Sequence, residues 1–130
     1  MPEYNPTVME HFLHPHNVGT LKDANAIGIV ENPTCGDVVK LSLKIENNIV
    51  VDAKAKTFGC AAAIASSSIM TDIVKNKKID ELQRVTNKDI IDTLGGLPAE
   101  KLRCSVFAEQ VIKSALDNYI KGDKIWLQKG

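Results

Sequence analysis

The chain has 130 residues, 44% apolar and 25% charged, which fits one soluble globular domain, residues 1–130, with its own core. Lys plus Arg and Asp plus Glu both number 16, so the zero formal charge lacks the basic excess of most nucleic-acid binders. Three cysteines, an odd number, argue against a pure disulfide framework and leave free thiols, thiol chemistry or metal binding.

The start, MPEYNPTVMEH, has no basic stretch followed by an apolar core, so no secretory leader is expected. The longest uncharged helix-like run, Cys60 to Thr71, is too short and too serine-rich to span a bilayer. No membrane is expected as a partner, and a cytoplasmic, reducing compartment is expected from the lack of a leader and of a spanning run.

In chain order, a helix is expected from Pro6 to Phe12, capped by Asn5 with Pro6 in its first turn. The run HPHNVG, His14 to Gly19, ends it. His11, His14 and His16 read as a solvated helix terminus rather than as ligands. A short strand is expected at Ala26–Val30. Val39 to Glu46 then alternates apolar and polar, and Ile49, Val51, Ala53 and Ala55 form a second apolar set. Pairing Ile45 with Ile49 keeps one face wholly apolar, whereas pairing Glu46 with Ile49 sets charges against apolar residues.

Carried back along the strands, that register sets Asp37 opposite Thr57 and Cys35 opposite Gly59, beside Cys60. Opposed residues lie about 4.5–5.5 Å apart at Cβ, so Cys35, Asp37 and Cys60 are expected to cluster at the open end of the hairpin. Gly36 would give the backbone freedom for close approach there.

The remainder reads as helical. Cys60 to Lys75 lacks charge before Asp72 and should be buried on most sides. Its amino end lies at Gly59-Cys60, where orphan N–H groups and the helix dipole favour Cys60 as a thiolate. Short helices follow at Ile79–Val85 and at Thr86–Leu94, the latter capped by Thr86. After the GGLP break a long helix is expected from Ala99 to Lys121, with Cys104 in phase with Ala108, Val111 and Ala115. The fold class is therefore α+β, a small three-stranded antiparallel sheet packed against a bundle of about five helices.

Thiolates bind zinc, Cu(I) and iron–sulfur clusters, and a carboxylate can join them as a harder ligand. Cys35, between a turn and an acid, is poorly explained as core. Cys60 and Cys104 read equally well as core residues or as ligands, since cysteine is among the most buried residue types. For Asp37 the plain alternative is a strand-entry or capping role.

Taken together, NPTCGD, KTFGCAAAIASSS, LPAEKLRCSVFAEQVIKSAL and HPHNVG strongly resemble the iron–sulfur cluster scaffold family of the NifU amino-terminal domain and IscU, in order and over nearly the whole chain. The resemblance implies cluster ligands at Cys35, Cys60 and Cys104, with Asp37 as the motif aspartate. It implies sulfur from a cysteine desulfurase, assembly of a 2Fe-2S cluster, and transfer to apo iron–sulfur acceptor proteins by a scaffold that is not a turnover enzyme. Zinc in the same ligands is also implied.

Two departures from the family pattern stand out. Arg103 stands where a histidine is usual, and arginine is not an ordinary metal ligand, which leaves Asp37 as the fourth. Arg103, Lys101 and Gly36 are expected to surround the ligands. Ala99 and Glu100 replace a proline and an apolar residue of the motif read by an Hsp70-type chaperone, which argues against that dependence. A zinc-dependent sulfur-acceptor relay and a structural zinc module are the rival readings. Monomer, homodimer and higher oligomer all stay open.

Overall fold

The computed structural model describes residues 5–32, 36–96 and 107–121. Three antiparallel strands, β1 (Ala26–Asn32), β2 (Asp37–Glu46) and β3 (Ile49–Phe58), lie in the order β1-β2-β3. Five helices appear among the described residues: α1 (Pro6–Leu13), α2 (Ala61–Val74), α3 (Ile79–Leu82), α4 (Asn87–Thr93) and α5 (Ala108–Lys121). The expected α+β architecture is observed. No helix among the described residues is long and apolar enough to cross a membrane.

One face of the sheet carries the core. Val39, Leu41, Leu43 and Ile45 of β2 and Val50, Ala53 and Ala55 of β3 are all buried there. They join Val8, Ala65, Met70, Ile90, Val111 and Ala115 of the covering helices in one cluster. A smaller cluster of Leu21, Ala24 and Ile27 forms apart from it, where buried Ser42 of β2 accepts the Leu21 N–H.

The register differs from the expected one. Asn47 and Asn48 both have positive φ, 54° and 65°, so a two-residue turn pairs Glu46 with Ile49. A bulge between Lys44 and Ile45 then shifts the pairing, giving Leu43 opposite Ala53 and Leu41 opposite Ala55. The extra residue is Val51, which turns outward and is exposed, while Val50 takes the inward place. The bulge thus resolves the clash of apolar and charged faces that seemed to forbid the tight turn.

The bulge is held from both edges. The Asn25 side chain donates to the Ile45 carbonyl and accepts its N–H, each at 2.8 Å. On the far side Val50 N–H donates to the Lys77 carbonyl at 2.9 Å, and Asn76 N–H donates to the Val50 carbonyl at 2.7 Å.

Several helix ends match the sequence and one does not. Asn5 caps α1 by accepting from Val8 N–H, and Thr86 caps α4 by accepting from Asp89 N–H. The last helix does not run on from Ala99 as one element: Phe107 is outside it, and α5 begins at Ala108. Its first turn is tied to the first turn of α4. Glu109 N–H donates to Asn87 Oδ1 at 3.0 Å, and Asn87 N–H donates to Glu109 Oε2 at 2.8 Å. That reciprocal cap is a tertiary contact, which local sequence does not announce.

Candidate metal centre

The site begins where β2 and α2 meet. Asp37 opens β2 with the inward parity of Val39 and Leu41, and it is buried, 3% exposed. Across the sheet Val38 pairs with Phe58, so the actual register carries Asp37 toward Gly59 rather than Thr57. The packing agrees: a Cβ on Gly59 would stand 2.6 Å from Asp37 Oδ1 and 2.9 Å from its Cγ. Gly59 is glycine because the carboxylate occupies the space a side chain would take.

Cys60 follows directly as the N-cap of α2, half-buried, with its carbonyl accepting the Ile64 N–H. The acid and this cysteine are therefore neighbours at the amino end of a buried helix, where N–H groups and the helix dipole favour negative charge. Burying a carboxylate without such compensation would be costly. Thr57, two residues before Gly59, also turns a buried hydroxyl inward, and its Oγ1 has no hydrogen-bond partner among the described residues.

Gly36 has φ of 72°, and no atom of the described residues lies within 4 Å of where its Cβ would be. The positive φ accounts for a glycine here, and the close approach expected of its backbone involves Cys35 and Cys104, which lie outside the described residues.

Behind the site, α2 buries Ser66, Ser67, Ser68 and Thr71 among its alanines. Ser66 and Ser67 satisfy their hydroxyls by donating to the carbonyls of Ala62 and Ala63 at 2.6 and 2.9 Å. This explains how so serine-rich a helix can be buried. Phe107 lines the same small gap as Val39, Ser66, Met70 and Ala108, which brings the entry of α5 against the start of β2.

Of the residues expected at the site, Asp37, Cys60 and Gly36 are thus brought to one end of the sheet. Cys35, Cys104, Arg103 and Lys101 lie outside the described residues. Of the helix-end histidines, His14 and His16 are exposed as expected and His11 is not. His11 is buried, 7% exposed, rather than part of a solvated terminus, because α1 packs against α2. Among the described residues, the group of His, Cys, Asp and Glu side chains close enough to share one ion is His11, His16 and Asp72.

Comparison with known proteins fits this geometry. Residues 3–125 match the model of the NifU-like N terminal domain. The chain is 52% identical over 120 residues to the "Iron-sulfur cluster assembly enzyme IscU" of Drosophila melanogaster, covering 89% of this chain and 77% of that protein. It is 44% identical over 120 residues to the "Iron-sulfur cluster assembly scaffold protein IscU" of Aquifex aeolicus, covering 91% and 76%. A nitrogen-fixing NifU-like protein (N-terminal) from Brucella abortus shares the fold, with a TM-score of 0.73 at 21% identity over 90% of this chain and 94% of that one. The chain belongs to the NifU-like N-terminal domain family.

Proposed function

We propose that this protein acts, as one domain, as a scaffold on which an iron–sulfur cluster is assembled and from which it is passed on. The observation that carries the reading is the buried carboxylate of Asp37 packed against Gly59, next to Cys60 at the amino end of α2. The names of its relatives, cluster-assembly proteins of the IscU type, support it.

In this reading Cys35, Cys60 and Cys104 are the thiolate ligands and Asp37 is the fourth. The cargo is a 2Fe-2S cluster, its sulfur delivered by a cysteine desulfurase and its recipients apo iron–sulfur proteins. Phe107, three residues beyond Cys104, reaches Val39, two residues beyond Asp37, which supports a shared site. Three thiolates and a carboxylate carry four negative charges and the oxidised cluster offsets two, so Arg103 would neutralise one more. A hard oxygen ligand among soft thiolates makes a weaker site, which suits a carrier rather than a turnover enzyme. Lys101 and Gly36 complete the surroundings, the latter by its left-handed backbone. The cytoplasm is the proposed compartment.

Anaerobic reconstitution with iron, cysteine and a desulfurase tests the reading. Visible and Mössbauer spectra should show a 2Fe-2S cluster with one iron of mixed sulfur and oxygen ligation. Tight stoichiometric zinc with no cluster formed would overturn it in favour of a zinc-dependent sulfur acceptor.

A further inference from the structure

We infer that His11, His16 and Asp72 form a second metal site, for a divalent ion of the zinc or ferrous class, distinct from the cysteine centre. One nitrogen of each histidine and one carboxylate oxygen of Asp72 lie within 4.8 Å of one another. Two imidazoles and a carboxylate form a donor set suited to zinc or Fe(II), with a further position left for water. The fold builds the group from two elements. His11 sits on the last turn of α1, His16 follows the turn that ends it, and Asp72 lies on α2, against which α1 packs.

The surroundings orient each donor. His11 Nδ1 is 2.7 Å from Ser68 Oγ, which also accepts the His16 backbone N–H at 2.8 Å. A ring held at Nδ1 by a hydroxyl keeps its other nitrogen for an ion, the usual arrangement behind a metal-bound imidazole. Asp72 Oδ1 accepts from Asn17 Nδ2 at 3.1 Å, while Oδ2 lies 2.5 Å from His16 Nδ1. An ion binding here takes the place of the proton shared by His16 and Asp72, and that proton leaves to solvent.

Electrostatics agree. Burial, and then His16, lower the pKa of His11, while Asp72 and Glu10 act against them. The His11 and His16 ring centroids are only 4.6 Å apart, and two charged imidazoles at that distance would repel. The nearby Lys75 ammonium is engaged by Asn17 Oδ1 at 2.6 Å and Asp52 at 3.5 Å. His16 and Asp72 are partly exposed, so an ion could enter and leave.

The site is separate from the cysteines. Cys60 caps the start of α2 and Asp72 comes twelve residues later, about 18 Å along the helix at 1.5 Å per residue. One ion cannot serve both.

The test uses the untagged chain with Cys35, Cys60 and Cys104 all changed to Ser, titrated with zinc by calorimetry and with cobalt(II) by visible absorption. The expected result is one ion per chain and a cobalt spectrum without sulfur-to-metal charge transfer. His16→Ala and Asp72→Asn should each weaken binding at least tenfold, and His14→Ala should leave it unchanged. No binding, or binding indifferent to His16→Ala and Asp72→Asn, overturns the site. Should the triple variant fail to fold, the cysteine-intact chain carries the same test. His16→Ala should then remove the cobalt bound without thiolate and keep the charge-transfer band. Loss of neither species overturns the inference. The charge-transfer band itself reports on the cysteine centre, so failure of that reading is seen separately.

Discussion

The carboxylate of Asp37 fills the space beside Gly59, with Oδ1 2.6 Å from where a Cβ would be. The two residues close opposite strands of the hairpin, and Cys60 follows the glycine directly. Gly59→Ala should drive the carboxylate from its buried position and cost about 1–3 kcal/mol, as overpacking does. Gly36→Asn should cost far less, since asparagine tolerates the left-handed backbone and no described residue lies within 4 Å of the Cβ position. Denaturant midpoints of both variants check this. Equal losses would mean that the Asp37–Gly59 packing is not what demands the glycine.

That juxtaposition depends on a bulge one strand-length away. Asn25 holds both the N–H and the carbonyl of buried Ile45, where the register shifts. Asn25→Ala should cost about 1–3 kcal/mol by leaving those groups unsatisfied. Asn25→Asp, which keeps the acceptor and loses the donor, should fall between the variant and the native chain. Hydrogen exchange at Ile45 should rise in Asn25→Ala. An unchanged exchange rate would show that the bulge holds without Asn25.

Gly28 marks a tight approach of helix to sheet. A Cβ there would stand 2.4 Å from the Val111 carbonyl oxygen and 2.5 Å from the Ala115 nitrogen, both backbone. No side chain can move aside, so α5 itself must shift. Gly28→Ala should cost at least the roughly 3 kcal/mol at the top of the overpacking range. It should also break the bonds from Ile29 N–H to Ser114 Oγ and from Asn118 Nδ2 to the Ile27 carbonyl. A native-like unfolding midpoint would contradict this packing.

The hydrophobic pattern made the sheet, the buried α2 and the caps by Asn5 and Thr86 legible in the sequence, because each is a local or periodic signal. The register was not legible. Period two alone disfavoured the Asn47-Asn48 turn, whose positive-φ pair was the better signal, and the outward turn of Val51 rests on tertiary bonds from Asn25 and Lys77. The start of α5 escaped notice for the same reason, since Asn87 sets it from another helix. The inward Asp37 and its place beside Cys60 followed from parity, which the bulge preserves along the rest of β2. His11 looked solvated because its burial comes from α1 packing on α2.

Burial of His11 also predicts a pH dependence. Its pKa in the folded chain lies below the ordinary 6.5, so below that pH the unfolded chain binds its proton more readily. This contribution to stability is complete above about pH 6.5 and falls as pH drops through that value toward the folded pKa. His11→Gln should remove that component. Denaturant midpoints measured in chelator on both sides of pH 6.5 check it, and parallel profiles for the two proteins would refute the burial argument.

The most direct test of the scaffold account is cluster transfer. Native chain and Asp37→Ala, both reconstituted anaerobically, are mixed with an apo iron–sulfur acceptor and followed by circular dichroism. Loss of the oxygen ligand should slow release at least tenfold, about 1.4 kcal/mol in the barrier. Equal transfer rates from the two proteins would contradict Asp37 as the ligand through which the cluster leaves.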